Sequence, residues 1–263
     1  MADLFSNSVV VTPVFEGEVV AEQPLPNAEC CFDIYYPANT STPPPVVLIV
    51  IGFPDFGRKQ ENGKGLKDLP PYISWGKLLA SNGMATVIAS CSDPAANLLA
   101  LTKHLSAKQQ DLPLDMQRLA IWTCSGNGPT AIDLLAKLPA VKAGVFLYSF
   151  MADLGSHDVV ARTAEQFRFC NPEENKDRIL DATPLFIVRA GQDEFDGLNE
   201  TLDRYVEAVK KKNPDVEFIN YEQGVHGFDL IDSSVESKQI INRLLDYLRD
   251  KLCQPQAASK KLR

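Results

Sequence analysis

The sequence predicts an α/β protein: a doubly wound, mainly parallel sheet with helices on both faces. Three observations lead there. Short apolar runs alternate with amphipathic stretches over most of the 263 residues. The run over residues 46–51 has no polar alternation, as expected of a strand covered on both faces. The stretches between runs also have the length and pattern of helices, the usual crossover between parallel strands.

Taken in order, Val9, Val10 and Val11 are expected to form a first strand. Residues 31–36, with β-branched and aromatic side chains and a stop at Pro37, form a second. Pro43, Pro44 and Pro45 make a stiff spacer before the strand at 46–51. Residues 52–71, rich in Gly, Lys and Asp, form a loop of a length that usually carries function. Ile73, Trp75, Leu78 and Leu79 have helical spacing over 72–82, and Gly83 ends that helix. A strand follows at 84–89. Asp93 caps the next helix, which opens with Pro94 and runs through Leu98, Leu101 and Leu105. A strand at 119–122, a helix at 128–138 and a strand at 141–148 continue the alternation. Over 149–182 the rhythm breaks, and this segment is read as a small cap inserted over one end of the sheet. Its Phe150, Met151, Phe167 and Phe169 either line a pocket or pack the cap down. A strand at 184–188, a helix at 198–212, a strand at 216–221 and an amphipathic helix at 235–252 complete the core. Neither repeat nor linker divides the chain, so residues 1–263 are read as one domain with a tail at 254–263.

Composition narrows the function. Basic and acidic residues number 26 and 34, a net charge of −8 with pI near 5.0, so the average field repels phosphate. The basic runs at Lys210, Lys211 and Lys212 and at the C-terminus are too short for a nucleic-acid footprint, and no nucleic-acid partner is expected. The charge also favours neutral over anionic substrates. No apolar run approaches the roughly 20 residues of a membrane span. The first seven residues have no basic segment followed by a long apolar core, so no secretory signal is predicted and the cytoplasm is the expected compartment. Six cysteines without CxxC spacing are read there as reduced thiols. Three scattered histidines offer no ligand cluster, so no metal and no cofactor is expected. Nothing in the sequence fixes an oligomeric state.

In an open parallel sheet the ligand lies beyond the carboxyl ends of the strands. After the strand at 119–122 comes Thr123-Cys124-Ser125-Gly126-Asn127-Gly128 and then a helix. A strand, a tight turn and an immediate helix push a side chain out of the sheet at a helix N-terminus, which favours developing negative charge. Thr123 and Asn127 stand where G-x-S-x-G has glycine, so the elbow is a relaxed version. Ser125 is preferred to Cys124 at the apex, because Cys124 would set bulky Trp122 two places before the nucleophile. After the strand at 184–188, Asp193 follows Gly191 and is the first candidate for the acid that orients a histidine, with Asp196 in reserve. After the strand at 216–221, His226 lies between Gly224 and Gly227. His104 falls in a helix and His157 in the insertion, and both are read as surface residues. Serine, acid and histidine thus occur in that order, each after a separate strand.

With these motifs in place the chain resembles the α/β-hydrolase superfamily. Residues 184–188, Gly191-Gln192-Asp193 and His226-Gly227-Phe228 are similar to the dienelactone hydrolase and carboxylesterase branch. The resemblance implies an α/β-hydrolase fold and a Ser125-His226-Asp193 triad. It also implies an oxyanion hole from the Gly126 amide and one in the loop after residue 51, where Phe53 is the candidate because Pro54 has no N–H. Phe53, Cys124, Phe195 and Phe228 are expected to face the substrate. Dienelactone hydrolases usually carry a cysteine nucleophile, so serine here favours a general small-molecule ester of small to medium acyl length. Lactone, amide or peptide cleavage on the same triad, and a ligand-binding role without turnover, remain the alternatives.

Overall fold

The computed structural model describes residues 4–52, 64–155, 158–168 and 177–253. Its strands are β1 (Glu18–Pro24), β2 (Cys30–Tyr36), β3 (Pro45–Val50), β4 (Ala85–Cys91), β5 (Asp115–Ser125), β6 (Ala143–Ser149), β7 (Leu185–Ala190) and β8 (Val216–Tyr221). They form one sheet in the order β1-β2-β4-β3-β5-β6-β7-β8. The β1–β2 and β2–β4 pairs are antiparallel, and every pair from β4 to β8 is parallel. The helices are α1 (Pro70–Ser81), α2 (Pro94–Ala107), α3 (Gly128–Lys137), α4 (Val159–Phe167), α5 (Leu198–Lys210), α6 (Phe228–Ile231) and α7 (Val235–Cys253). None of the described helices is long and apolar enough to cross a membrane.

The unbroken apolar run of β3 is buried throughout because both faces are covered. Val46, Leu48 and Val50 face a core shared with Leu98 and Leu101 of α2, Ile132 of α3 and Tyr205 of α5. Val47, Ile49 and Ile51 face a second core with Trp75 of α1 and Leu244 and Leu248 of α7. The two-residue period of a strand assigns successive side chains to opposite layers. Helix signals read from the sequence also hold: the Asp93 side chain accepts from the Ala96 amide at the start of α2, and Gly83 after α1 has φ +84°.

Several expectations are corrected. Val9, Val10 and Val11 form no strand. Val9 is buried, with its amide on Ser74 Oγ at 2.9 Å, and the Val10 amide donates to the Asp229 carbonyl at 2.8 Å. The edge of the sheet belongs to β1, whose mostly exposed residues give little apolar signal. Phe150 and Met151 pack inward and are fully buried, Phe150 with Val159, Val160 and Leu198. Phe169, the Phe167 side chain, His157, Cys170 and the tail at 254–263 lie outside the described residues. His104 is half-buried rather than superficial, edge-on to Phe32. Cys30 and Cys91, directly opposite each other in the β2–β4 pair with Cα atoms 4.3 Å apart, form a disulfide. The expectation of six reduced thiols is corrected at this pair.

Candidate active site

The site is built where β5, β7 and β8 end. β5 stops at Ser125, which has φ +56°, a left-handed conformation that non-glycine residues rarely adopt. The turn is held there by its neighbours: the Phe150 amide donates to the Ser125 carbonyl at 2.8 Å, and Ser149 Oγ donates to the same oxygen at 3.0 Å. The two residues that relax the glycine pattern tie the elbow to the end of β3. Thr123 Oγ1 donates to the Val50 carbonyl (3.1 Å) and Asn127 Nδ2 to the Ile51 carbonyl (2.7 Å). Gly128 takes over the close approach. A Cβ placed on it would lie 1.8 Å from the Phe150 carbonyl oxygen, a backbone atom with nowhere to go. Gly128→Ala is therefore expected to destabilise the fold by about 3 kcal/mol, read as a lowered Tm in a thermal melt.

The acid and the histidine are brought together by backbone contacts between their loops. The Gly191 amide donates to the Tyr221 carbonyl and the Gln192 amide to the Gly224 carbonyl, each at 2.7 Å. The Gly191 and Glu222 backbones come so close that a Cβ at Gly191 would meet the Glu222 oxygen at 2.3 Å. Asp193 Oδ2 lies 2.7 Å from His226 Nδ1, and His226 Nε2 lies 3.0 Å from Ser125 Oγ. The Asp193 side chain has no exposure and that of His226 only 13%. The second Asp193 oxygen accepts the Phe195 amide at 3.0 Å. Asp196 is exposed and is not part of this chain of contacts.

The remaining sequence-predicted residues divide. Phe195 stacks obliquely on His226, centroids 4.4 Å apart, and Cys124 lines a cavity with Ser125. Phe228 does not face that space: it is fully buried and edge-on to Tyr148 and Tyr221, a correction that follows from its place at the start of α6, pointing into the core. Phe53 lies outside the described residues. The Gly126 amide donates to the Gly52 carbonyl at 3.1 Å, so serving an oxyanion would require that carbonyl to give way. Burial, then the charge of Asp229, pushes the Cys124 thiol up, which keeps it protonated and a poor nucleophile at neutral pH.

Beneath the histidine lies a polar group that the sequence reading missed. Asp229 is buried, which raises its pKa. Its Oδ1 accepts the Tyr148 hydroxyl at 2.5 Å and its Oδ2 the Trp75 indole N–H at 2.7 Å. The Tyr148 ring meets His226 edge-on at 4.8 Å, so the imidazole is held between Tyr148 and Phe195. Its only sequence signal is a charged residue in the apolar run after His226.

No protein-family model matches the sequence. Nor does any curated protein sequence. Solved structures do match in shape. The bacterial heroin esterase superposes with a TM-score of 0.69 at 16% identity, over 92% of this chain and 87% of that one. A thermostable carboxylesterase cloned from a metagenomic library gives 0.68 at 17%, over 94% and 92%. The Pyrobaculum calidifontis esterase gives 0.66 at 14%, over 92% and 87%. The chain has the α/β-hydrolase fold. Ser125 stands at the sharp turn between β5 and α3 in this fold. Similarity at these identities speaks to architecture alone.

Proposed function

We propose that the protein is a serine hydrolase that cleaves small-molecule carboxylic esters of small to medium acyl length through an acyl-enzyme. The observation that carries the reading is the continuous line from Asp193 through His226 to Ser125, both links within hydrogen-bond reach, on three separate strand ends. His226 Nε2 takes the Ser125 proton as Oγ attacks the ester carbonyl carbon. Asp193 fixes the tautomer by accepting from Nδ1–H and stabilises the imidazolium. Collapse of the tetrahedral species breaks the ester C–O bond, and the proton on Nε2 goes to the departing alcohol. Water then gives a proton to the same nitrogen and attacks the acyl-serine; as the acyl–Oγ bond breaks, Nε2 returns that proton to Ser125 Oγ and the carboxylic acid leaves. Gly126 N–H is the oxyanion donor in this reading, with Phe53 the second. The mostly apolar lining of the space around Ser125, which includes the Asp229 carboxyl, and the net charge of −8 both favour uncharged esters.

A second reading, ligand binding without turnover, is favoured by one observation: the Gly126 amide is already engaged by the Gly52 carbonyl. A fluorophosphonate probe separates the two. The hydrolase reading expects one label per chain, mapped to Ser125 by peptide mass spectrometry and lost in Ser125→Ala. An unlabelled, folded wild-type chain would leave the binding reading.

A further inference from the structure

We infer that the N-terminal turn of this chain is the outer wall of a short acyl pocket, so that the site selects esters of a small acyl group on a larger alcohol. The inference rests on the hydrolase reading and adds the division of the substrate between two cavities. One cavity of about 50 Å³ is lined by Leu4, Phe5, Tyr72, Trp75, Trp122 and Ser125, among others. The other, about 330 Å³, is lined by Leu4, Gln192, Glu194, Phe195, Val225, His226 and Ile231. His226 and Leu4 border both; Ser125 borders only the small one.

The chemistry then assigns the halves of the ester. In the acyl-enzyme the acyl carbon is bonded to Ser125 Oγ, so its substituent must occupy the cavity that contains Ser125. The leaving oxygen receives its proton from His226 Nε2, so the alcohol departs on the side where His226 meets the large cavity. A dry cavity of about 150 Å³ accommodates a benzene ring. At 50 Å³ the small one holds about a third of that, two to three carbons.

The walls differ in how readily they yield. Trp75 and Trp122 pack at 5.0 Å, and the Trp75 indole is fixed on buried Asp229. The Tyr72 hydroxyl accepts the Gly52 amide at 3.2 Å. These inner walls are core. Among the described residues, the wall farthest from the core is formed by Leu4 and Phe5 of the turn Leu4–Ser6 together with Gly227 and Leu230, with Leu4 lying against Gly227. It is moored a few residues later by the Val9 amide on Ser74 and the Val10 amide on the Asp229 carbonyl. Phe5 is half-buried against the core that contains Trp75. Residues ahead of the first strand therefore set the acyl length, while the insertion at 149–182 contributes no lining residue that the structure describes.

The test compares kcat/KM for p-nitrophenyl acetate, butyrate and hexanoate, which share one alcohol. Against a wall that does not yield, each further methylene costs roughly tenfold or more. The wild type is expected to prefer acetate to hexanoate by at least about 100-fold, and Leu4→Ala/Phe5→Ala to raise the hexanoate-to-acetate ratio about tenfold. A wild type that turns over hexanoate as well as acetate overturns the pocket assignment without any variant. So does an unmoved ratio in a double variant whose Tm matches the wild type; if that variant does not fold, Leu4→Ala alone is read by the same ratio. Ester turnover with a flat chain-length profile sinks this inference only, whereas no turnover and no fluorophosphonate label at Ser125 sinks the hydrolase reading and this inference with it.

Discussion

Replacing Ser125 with alanine should lower kcat/KM for p-nitrophenyl acetate by about 10⁶-fold, since loss of the nucleophile leaves only binding and oxyanion contacts. Asp193→Asn should cost about 10⁴-fold, while Asp196→Asn should change the rate by less than about twofold, as expected of an exposed surface position. The contrast between the two aspartates follows from their surroundings. Both Asp193 oxygens are in use, Oδ2 by His226 Nδ1 and Oδ1 by the Phe195 amide. An asparagine there must offer its NH₂ either to Nδ1, which moves the imidazole proton to Nε2 and removes the base from Ser125, or to the Phe195 N–H, which leaves two donors facing each other in a site with no exposure. Asp196 makes no contact of this kind. Steady-state rates with purified variants of matched Tm decide it. If Asp193→Asn keeps more than about a tenth of the activity, the acid of the mechanism has been misassigned.

The parallel core was readable from the sequence because burial on both faces leaves a direct trace: β3 is apolar at every position, and the Asp93 cap and Gly83 mark helix ends by local chemistry. The order of the three residues proposed as a triad could be written down from the sequence because each sits in a short Gly-bearing turn after an apolar run. What was not readable depends on contacts between distant residues. β1 is an exposed edge whose pairing with β2 has no apolar pattern to announce it. Cys30 and Cys91 are 61 residues apart and meet only through strand register. The choice between Asp193 and Asp196 turns on which carboxylate the Gly191 and Gly224 backbones swing toward His226. Asp229 and Tyr148 join the site through α6 and a register shift in β5–β6 at Ser125. Lys67, in a segment that reads as a hydrophilic loop, is almost completely buried.

Lys67→Met should lower the unfolding free energy by about 3 kcal/mol in chemical denaturation, the lower end of the range for breaking a buried ion pair. Its ammonium is 1% exposed and lies within 3.0 Å of Asp33 and 2.6 Å of Asp68, with Glu22 as a third partner. Those three carboxylates are the one group among the described residues placed to hold a cation, and the lysine supplies it. The lower end applies because Glu22 is 60% and Asp68 26% exposed and can return to water, whereas Asp33, at 8%, would be stranded. Burial alone would push the lysine pKa down; hydrogen bonds to Asp68, Glu22 and Asp33 outweigh it and hold the pKa above the ordinary 10.5. A folded-state pKa above the unfolded one gives a contribution that is complete below about pH 10.5 and declines as the pH rises toward the folded value. Wild-type stability should therefore lose this share above pH 10.5, and the Lys67→Met chain should lack that part of the decline. Adding Asp33→Leu to Lys67→Met should recover part of the loss, because no buried charge is then left unpaired, and only part because the Glu22 amide loses Asp33 Oδ1 as its acceptor at 2.8 Å. If the double variant is instead less stable than Lys67→Met, packing around Lys67 rather than the orphaned carboxylate is what the single substitution destroys.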